Sequence, residues 1–228
     1  MRSMSSPSSP ARGRPARLDR TRTLRTALDL LDQSGLDALT MRRLADAMGV
    51  QAGALYRYFA TKQDLLTAMA ERMMEGVAEA AATDGSDWSE RLTALARAER
   101  EALLAHRDGA RVFAGTHATG ASVLGFADAF VGVLREAGFA DDAAARALYT
   151  VVNYTVGHTL EEQAALQAQD GAPEDASVLR DAVTAGTYPH LSATLPTLAS
   201  TDFTGLFEFG LDLLIEGLRT RHAPPARD

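Results

Sequence analysis

From Leu18 to Leu218 the apolar residues return at intervals of three and four, and nowhere do they alternate with polar ones over the length of a strand. A chain patterned this way buries its apolar surface as packed helices, so an all-α fold is expected. Leu24, Ala27, Leu28 and Leu31 share one helical face, and that helix should stop near Ser34 and Gly35. Thr40 has the chemistry of an N-cap. A short helix over residues 41–48, with Leu44, Ala45 and Met48 on one side, is broken by Gly49, and a second runs from about Gln51 to Tyr58 with Leu55 and Phe59 one turn apart. Two short helices around a glycine-containing turn follow the pattern of a helix-turn-helix.

Thr61 with Asp64, and Asp87 with Glu90, have the spacing of capping boxes at the starts of two further helices. Helices are also expected over residues 121–137 and 141–169, over 174–185, and from Asp202 to about Thr220. A short apolar segment ending at Phe113 and a turn over 115–120 lie between them, and residues 188–200, which carry two prolines, read as irregular. Leu211, Leu213 and Ile215 widen the apolar stripe of the last helix beyond what one neighbour covers, and the 141–169 helix is similarly broad. Such a pair completes a four-helix bundle with a second copy, so a homodimer is expected.

Composition narrows the function. The 228 residues include no cysteine, which excludes thiolate metal sites and thiol nucleophiles, and the five histidines stand in no recognisable catalytic motif. No enzyme activity and no cofactor are expected. His158 and Glu161 have a spacing suited to a metal, but a third ligand is not evident, so no metal is expected. The longest stretch without a charged residue, 182–201, contains Pro189, Pro196 and His190 and does not suit a bilayer span. The basic N-terminus has no apolar run behind it. A soluble cytoplasmic protein without a membrane partner is expected.

Charge is divided along the chain. Residues 1–72 hold twelve basic and seven acidic side chains, a net of +5, so the rest carries −12 of the overall −7. A basic end on an acidic body suits a polyanion met from one side. Three parts follow: residues 1–17, rich in Ser, Pro, Arg and Gly, as a disordered basic arm; 18–66 as the helix-turn-helix DNA-binding domain; and 67–228 as a ligand-binding and dimerisation domain.

The run from Leu39 to Leu66, with Tyr56, Phe59 and Lys62 before an apolar pair, resembles the DNA-binding domain of the tetracycline-repressor family. Residues 103–116, 154–163 and 207–218 resemble that family's regulatory domain, so the similarity spans about residues 18–218. The resemblance implies a homodimeric repressor that leaves double-stranded operator DNA when a small-molecule effector binds.

Residues that face base edges must be small or hydrogen-bonding, with phosphate donors at the rim. Thr40, Arg42, Gln51, Ala54, Tyr56, Arg57, Tyr58 and Lys62 form the expected DNA surface, with Leu55 and Phe59 holding the recognition helix to its neighbours. By matching position the family implies Arg42 as a base reader and Tyr56 and Lys62 as phosphate contacts. Ala54 suits a thymine methyl. Arg43 reads better as a solvated helix face. Arg12 and Arg14, on a Gly/Pro backbone, suit the narrow minor groove of A·T-rich DNA.

In the tetracycline repressor a histidine ligates the drug's magnesium at the position of Phe113 here, and phenylalanine has no lone pair for a hard cation. Leu95, Glu99 and Asn153 also replace family drug contacts, so tetracycline is not the expected effector. Glu161 and Thr116 do match family positions. An apolar cavity lined by Leu95, Phe113, Phe130, Leu134, Leu148 and Val152 is expected, with Glu99, Thr116, His117, Asn153, His158 and Glu161 as its polar groups. That composition suits a lipophilic or aromatic, antibiotic-like effector, and the family implies control of an exporter or resistance gene. The alternative is a DNA-binding regulator gated by a protein partner, or one that activates.

Overall fold

The computed structural model describes residues 19–82, 87–169 and 175–222. Arg12, Arg14 and the rest of the expected arm lie outside the described residues. Among the described residues every regular element is helical, in the order α1 (Arg20–Ser34), α2 (Met41–Met48), α3 (Ala52–Leu55), α4 (Lys62–Met73), a 3-10 turn (Val77–Ala81), α5 (Trp88–Leu104), α6 (Gly109–Ala114), α7 (Ala121–Glu136), α8 (Asp141–Gln169), α9 (Asp175–Ala185), α10 (Pro189–Leu198) and α11 (Phe203–His222). No helix among them is long and apolar enough to cross a membrane.

Local chemistry sets several boundaries. The Asp64 amide donates to Thr61 Oγ1 at 3.0 Å and the Thr61 amide to Asp64 Oδ2 at 2.9 Å, a reciprocal cap that starts α4. Asp87 and Glu90 do the same for α5, at 3.0 and 3.2 Å. Each such cap contributes about 1 kcal/mol. Gly49 ends α2 in the left-handed region, at φ 67°, where a side chain would be strained.

Two expectations are corrected. The second helix of the helix-turn-helix is a single turn, Ala52–Leu55, continued as turns in which the amides of Tyr58 and Phe59 both donate to the Leu55 carbonyl. Residues 189–198 are helical, not irregular. Pro189 sits in the first turn, where its missing N–H costs nothing, and hydroxyls of Ser192 and Thr194 bond carbonyls one turn back.

The apolar side chains form two main clusters. One gathers Ala27, Leu31, Leu39, Leu44, Leu55, Phe59, Leu65 and Met69 from α1 to α4. The larger one gathers Leu92, Leu95, Phe126, Phe130, Leu134, Val151, Phe207 and Leu211 from α5, α7, α8 and α11. A small third cluster of Leu103, Ala110 and Val156 lies where α5, α6 and α8 meet. Helix α6 is the wedge between them: Val112 belongs to the first cluster, and Phe113 packs against all three. Its start depends on Gly109, because a Cβ there would lie 2.2 Å from the Leu103 carbonyl oxygen.

Candidate functional site

The turn over residues 51–58 is anchored from below and open above. Leu55 and Phe59 are fully buried, while Tyr56 and Tyr58 remain 50% and 42% exposed. Gln51 and Arg57 are exposed beside them, Ala54 is half-buried, and Arg42 is exposed at the start of α2. The Arg20 guanidinium lies 5.5 Å from the Phe59 ring centroid, a brace that sequence reading did not pick out. Thr40 Oγ1 accepts from the Arg43 amide at 3.1 Å, so this side chain is used as the cap of α2. Arg43 itself turns to Ser34 Oγ at 2.7 Å. Lys62 is only half-exposed, and its Nζ donates to the Leu36 carbonyl at 3.4 Å; the structure does not set it free on the same open face as Tyr56.

Gly53 stands on that open face without a structural reason. Its φ is not in the left-handed region, and a Cβ added there would meet nothing within 4 Å. An exposed helical glycine costs about 1 kcal/mol relative to alanine, so its use points to a requirement outside the chain, the close approach of another surface.

A polar seam joins this module to the helices behind it. Asp108, nearly buried, accepts from the Leu36 amide at 2.8 Å, from Gln167 Nε2 at 3.2 Å and from Arg111 at 3.2 Å. Burial opposes its ionisation, but these donors outweigh burial and hold its pKa below the usual aspartate value. Its ionised form therefore stabilises the seam above the ordinary aspartate range, and that support is lost as pH falls through the lowered value. Around it, Asp32 accepts from the Arg107 amide at 3.0 Å and faces His106 Nδ1, Arg111 reaches Asp37 at 3.1 Å, and Gln63 Nε2 donates to the Gly115 carbonyl at 2.8 Å. Glu71 on α4 accepts the Ser122 and Val123 amides at the start of α7.

The interior behind α6 brings together much of the expected apolar set. Leu95, Phe130 and Leu134 are fully buried in the larger cluster, with Leu148, Val152 and Phe113 packed against it. The polar members scatter. Thr116 Oγ1 is spent on the Phe113 carbonyl at 2.9 Å, His117 is exposed, and His158 Nε2 lies 2.9 Å from the Phe203 carbonyl between Tyr154 and Phe207. Asn153 and Glu161 are exposed in the single chain, because the buried face of α8 runs through Val151, Thr155, Val156, Thr159, Glu162 and Gln163.

Two inward charges, Arg100 and Glu162, were missed. Arg100 and Glu162 form a buried, two-pronged ion pair at 2.7 and 2.9 Å, with the guanidinium also 5.1 Å from the Phe207 centroid. Gln163 donates to the Leu103 and His106 carbonyls and accepts from the Ala110 amide, stapling α8 to the α5–α6 connection. The signal for Glu162 was available in the 3.6-residue period: Glu162, not Glu161, falls in phase with Val151, Thr155 and Thr159. Glu99 alone of the expected polar residues points inward. Both of its carboxyl oxygens are buried without a hydrogen-bond partner, and desolvation pushes its pKa well above the usual carboxylate range.

Comparison with known proteins places this geometry. Residues 24–69 match the bacterial regulatory proteins of the tetR family, and residues 81–222 match the tetracyclin repressor-like C-terminal domain. The chain belongs to the TetR family. It is 41% identical over 199 residues to the tetracycline repressor protein class A from transposon 1721 of Escherichia coli, covering 87% of this chain and 89% of that protein. A crystal structure of a possible TetR family transcriptional regulator from Streptomyces coelicolor A3(2) shares 73% identity and a TM-score of 0.84, over 90% of this chain and 100% of that one. A variant of TetR from Acinetobacter baumannii AYE, solved with minocycline, shares 33% identity and a TM-score of 0.70, over 91% and 100%. TetR-family chains are transcriptional regulators with a helix-turn-helix and a larger helical domain, not enzymes, and this chain has that architecture.

Two outcomes test the site. Gly53→Ala raises the fold's stability by about 0.5–1 kcal/mol, read from urea unfolding, and weakens binding to an operator duplex by roughly tenfold or more, the scale of one lost base contact. Glu99→Gln removes a group whose pKa is raised on folding, so its stability advantage over the wild type is absent at about pH 4 and grows as pH rises through and above the ordinary glutamate value of about 4.3. Melting temperatures of the two proteins across that range check the slope.

Proposed function

We propose that the chain is a ligand-released repressor that binds a palindromic operator as a homodimer. The observation that carries this reading is the exposed turn of residues 51–58, fastened by Leu55 and Phe59 and left flat by Gly53. In this reading Gln51, Ala54 and Gly53 approach base edges, Tyr56, Arg57 and Tyr58 reach the rim, and Arg42 and Thr40 enter from α2. Lys62 exchanges the Leu36 carbonyl for a phosphate, and Arg12 and Arg14 follow the neighbouring minor groove.

The second copy docks on α8 and α11. Tyr149 and Leu213 are 70% and 60% exposed there, with Phe209 also open, an apolar surface that pairing of the two helices with their counterparts covers. The effector is a lipophilic or aromatic, antibiotic-like molecule held between α5, α6, α7 and α8, and the controlled gene encodes an exporter or resistance function. The relatives' name supports the antibiotic link. Phe113 argues against a magnesium–tetracycline chelate, since it offers that metal no ligand.

Release follows from the seam. A ligand that displaces Phe113 moves α6, and α6 is tied through Asp108 and Arg111 to the α1–α2 loop and through Gln63 to α4. The two recognition turns then lose their spacing over successive major grooves. A hundredfold loss of operator affinity requires the ligand to prefer the released state by about 2.7 kcal/mol.

Because the native chain has no cysteine, the spacing is testable with one introduced thiol. Ala47→Cys dimers crosslinked while bound to operator keep their affinity when effectors from a screen of planar lipophiles are added, whereas uncrosslinked dimers release it. Release that persists after crosslinking, or release of the wild type by tetracycline with magnesium and by nothing else in the screen, contradicts the reading.

A further inference from the structure

Among the described residues, three buried side-chain atoms lack a hydrogen-bond partner: both carboxyl oxygens of Glu99 and the hydroxyl of Thr155. Every other described buried charge near them is answered. Arg100 and Glu162 answer each other, and Asp108 has three donors. The orphans are therefore not a general looseness of the interior. Buried polar groups left unmet are costly, and a native site that keeps them has a use for them.

The orphans stand on two helices that pack against each other, Glu99 on α5 and Thr155 on α8. Arg100 to Glu162 and Leu103 to Gln163 tie the same two helices together. The two orphans do not bond each other, and Thr159 spends its hydroxyl on the Thr155 carbonyl at 2.7 Å. Leu95, Ala96 and Leu103 on α5 and Val151 on α8 are buried as well.

We propose that Glu99 and Thr155 are the polar end of the effector site and select a ligand that carries a protonated amine on an aromatic frame. This rests on the ligand-released reading above and names the chemistry of its ligand. An ammonium group supplies the counter-charge that the ionised form of the buried carboxyl otherwise lacks, and its remaining N–H reaches the threonine hydroxyl. The apolar frame takes the place of contacts among Leu95, Val151 and Phe130. A neutral alcohol hydrogen-bonds the carboxyl but brings no charge to draw out its ionised form. An anionic ligand opposes that ionisation.

Three molecules with the same ring and differing end groups separate these cases: naphthylethylamine, naphthylethanol and naphthylacetate. Their dissociation constants for the full-length protein are measured by calorimetry without DNA at neutral pH. The wild type binds the amine roughly tenfold or more tighter than the alcohol, the scale of a buried charge-assisted bond, and the acetate more weakly than either. Glu99→Gln brings amine and alcohol to within about threefold of each other, and Thr155→Val weakens the amine a few fold, the loss of one neutral hydrogen bond. The proposal is overturned if the alcohol matches the amine on the wild type, if the amine does not bind, or if Glu99→Gln keeps the amine's full advantage, which would mean that solvent serves the carboxyl. Operator binding of the wild type, assayed with no probe present, reports on the repressor reading separately, so the two fail independently.

Discussion

The carboxylate of Asp108 holds the DNA-facing module and the helical body in one frame. One oxygen takes the Leu36 amide from the α1–α2 loop, and the other takes Gln167 of α8 and Arg111 of α6. Three elements far apart in sequence thus meet at a single buried anion. Removing it would leave the Leu36 amide and the Gln167 amide group without their partner. The residue even accepts a left-handed backbone, φ 58°, which is uncommon outside glycine and aspartate or asparagine. Gln163 supports the same corner by tying α8 to the carbonyls of Leu103 and His106, and Gly109 lets the chain turn there.

That corner makes α6 the natural transmitter. It is short, it is wedged between apolar clusters that belong to different ends of the molecule, and its last turn carries Phe113, which touches all of them. Close-packed interiors do not deform by degrees, and in the proposed function a ligand held behind Phe113 moves the wedge. Glu71 offers a second route, since its carboxylate caps α7 from α4, the helix that follows the recognition turn. A helix in the body and a helix of the N-terminal module are thereby tied to each other.

Much of this was legible in the sequence, and for a physical reason. The glycine break at Gly49 and both capping boxes are local: the groups that decide them lie within four residues. Leu55 and Phe59 were legible as anchors for the same reason. The interior was legible only in its apolar part. Leu95, Phe130 and Leu134 announce burial by type, whereas a polar residue's side depends on helix phase, and one position is 100° of rotation. Similarity drew attention to Glu161; phase puts Glu162 inside. Asp108, Gln163 and the pairing of Arg100 with Glu162 depend on contacts across 53 to 72 residues, and no local pattern marks such partners. Lys62 illustrates the same limit, because the carbonyl it meets belongs to a loop 26 residues earlier. Helix α10 was misread because its prolines were weighed as breakers when one of them begins the helix.

The central claim is that two copies of the 51–58 turn, held apart by the helical bodies, read duplex DNA together. Hydroxyl-radical footprinting of the purified protein on the DNA flanking its own gene tests this most directly. The account predicts two protected patches on one face of the duplex, centred about 10 base pairs or a multiple of that apart, over sequences related by a two-fold axis. A single patch, or uniform weak protection that is the same on unrelated DNA, would contradict it.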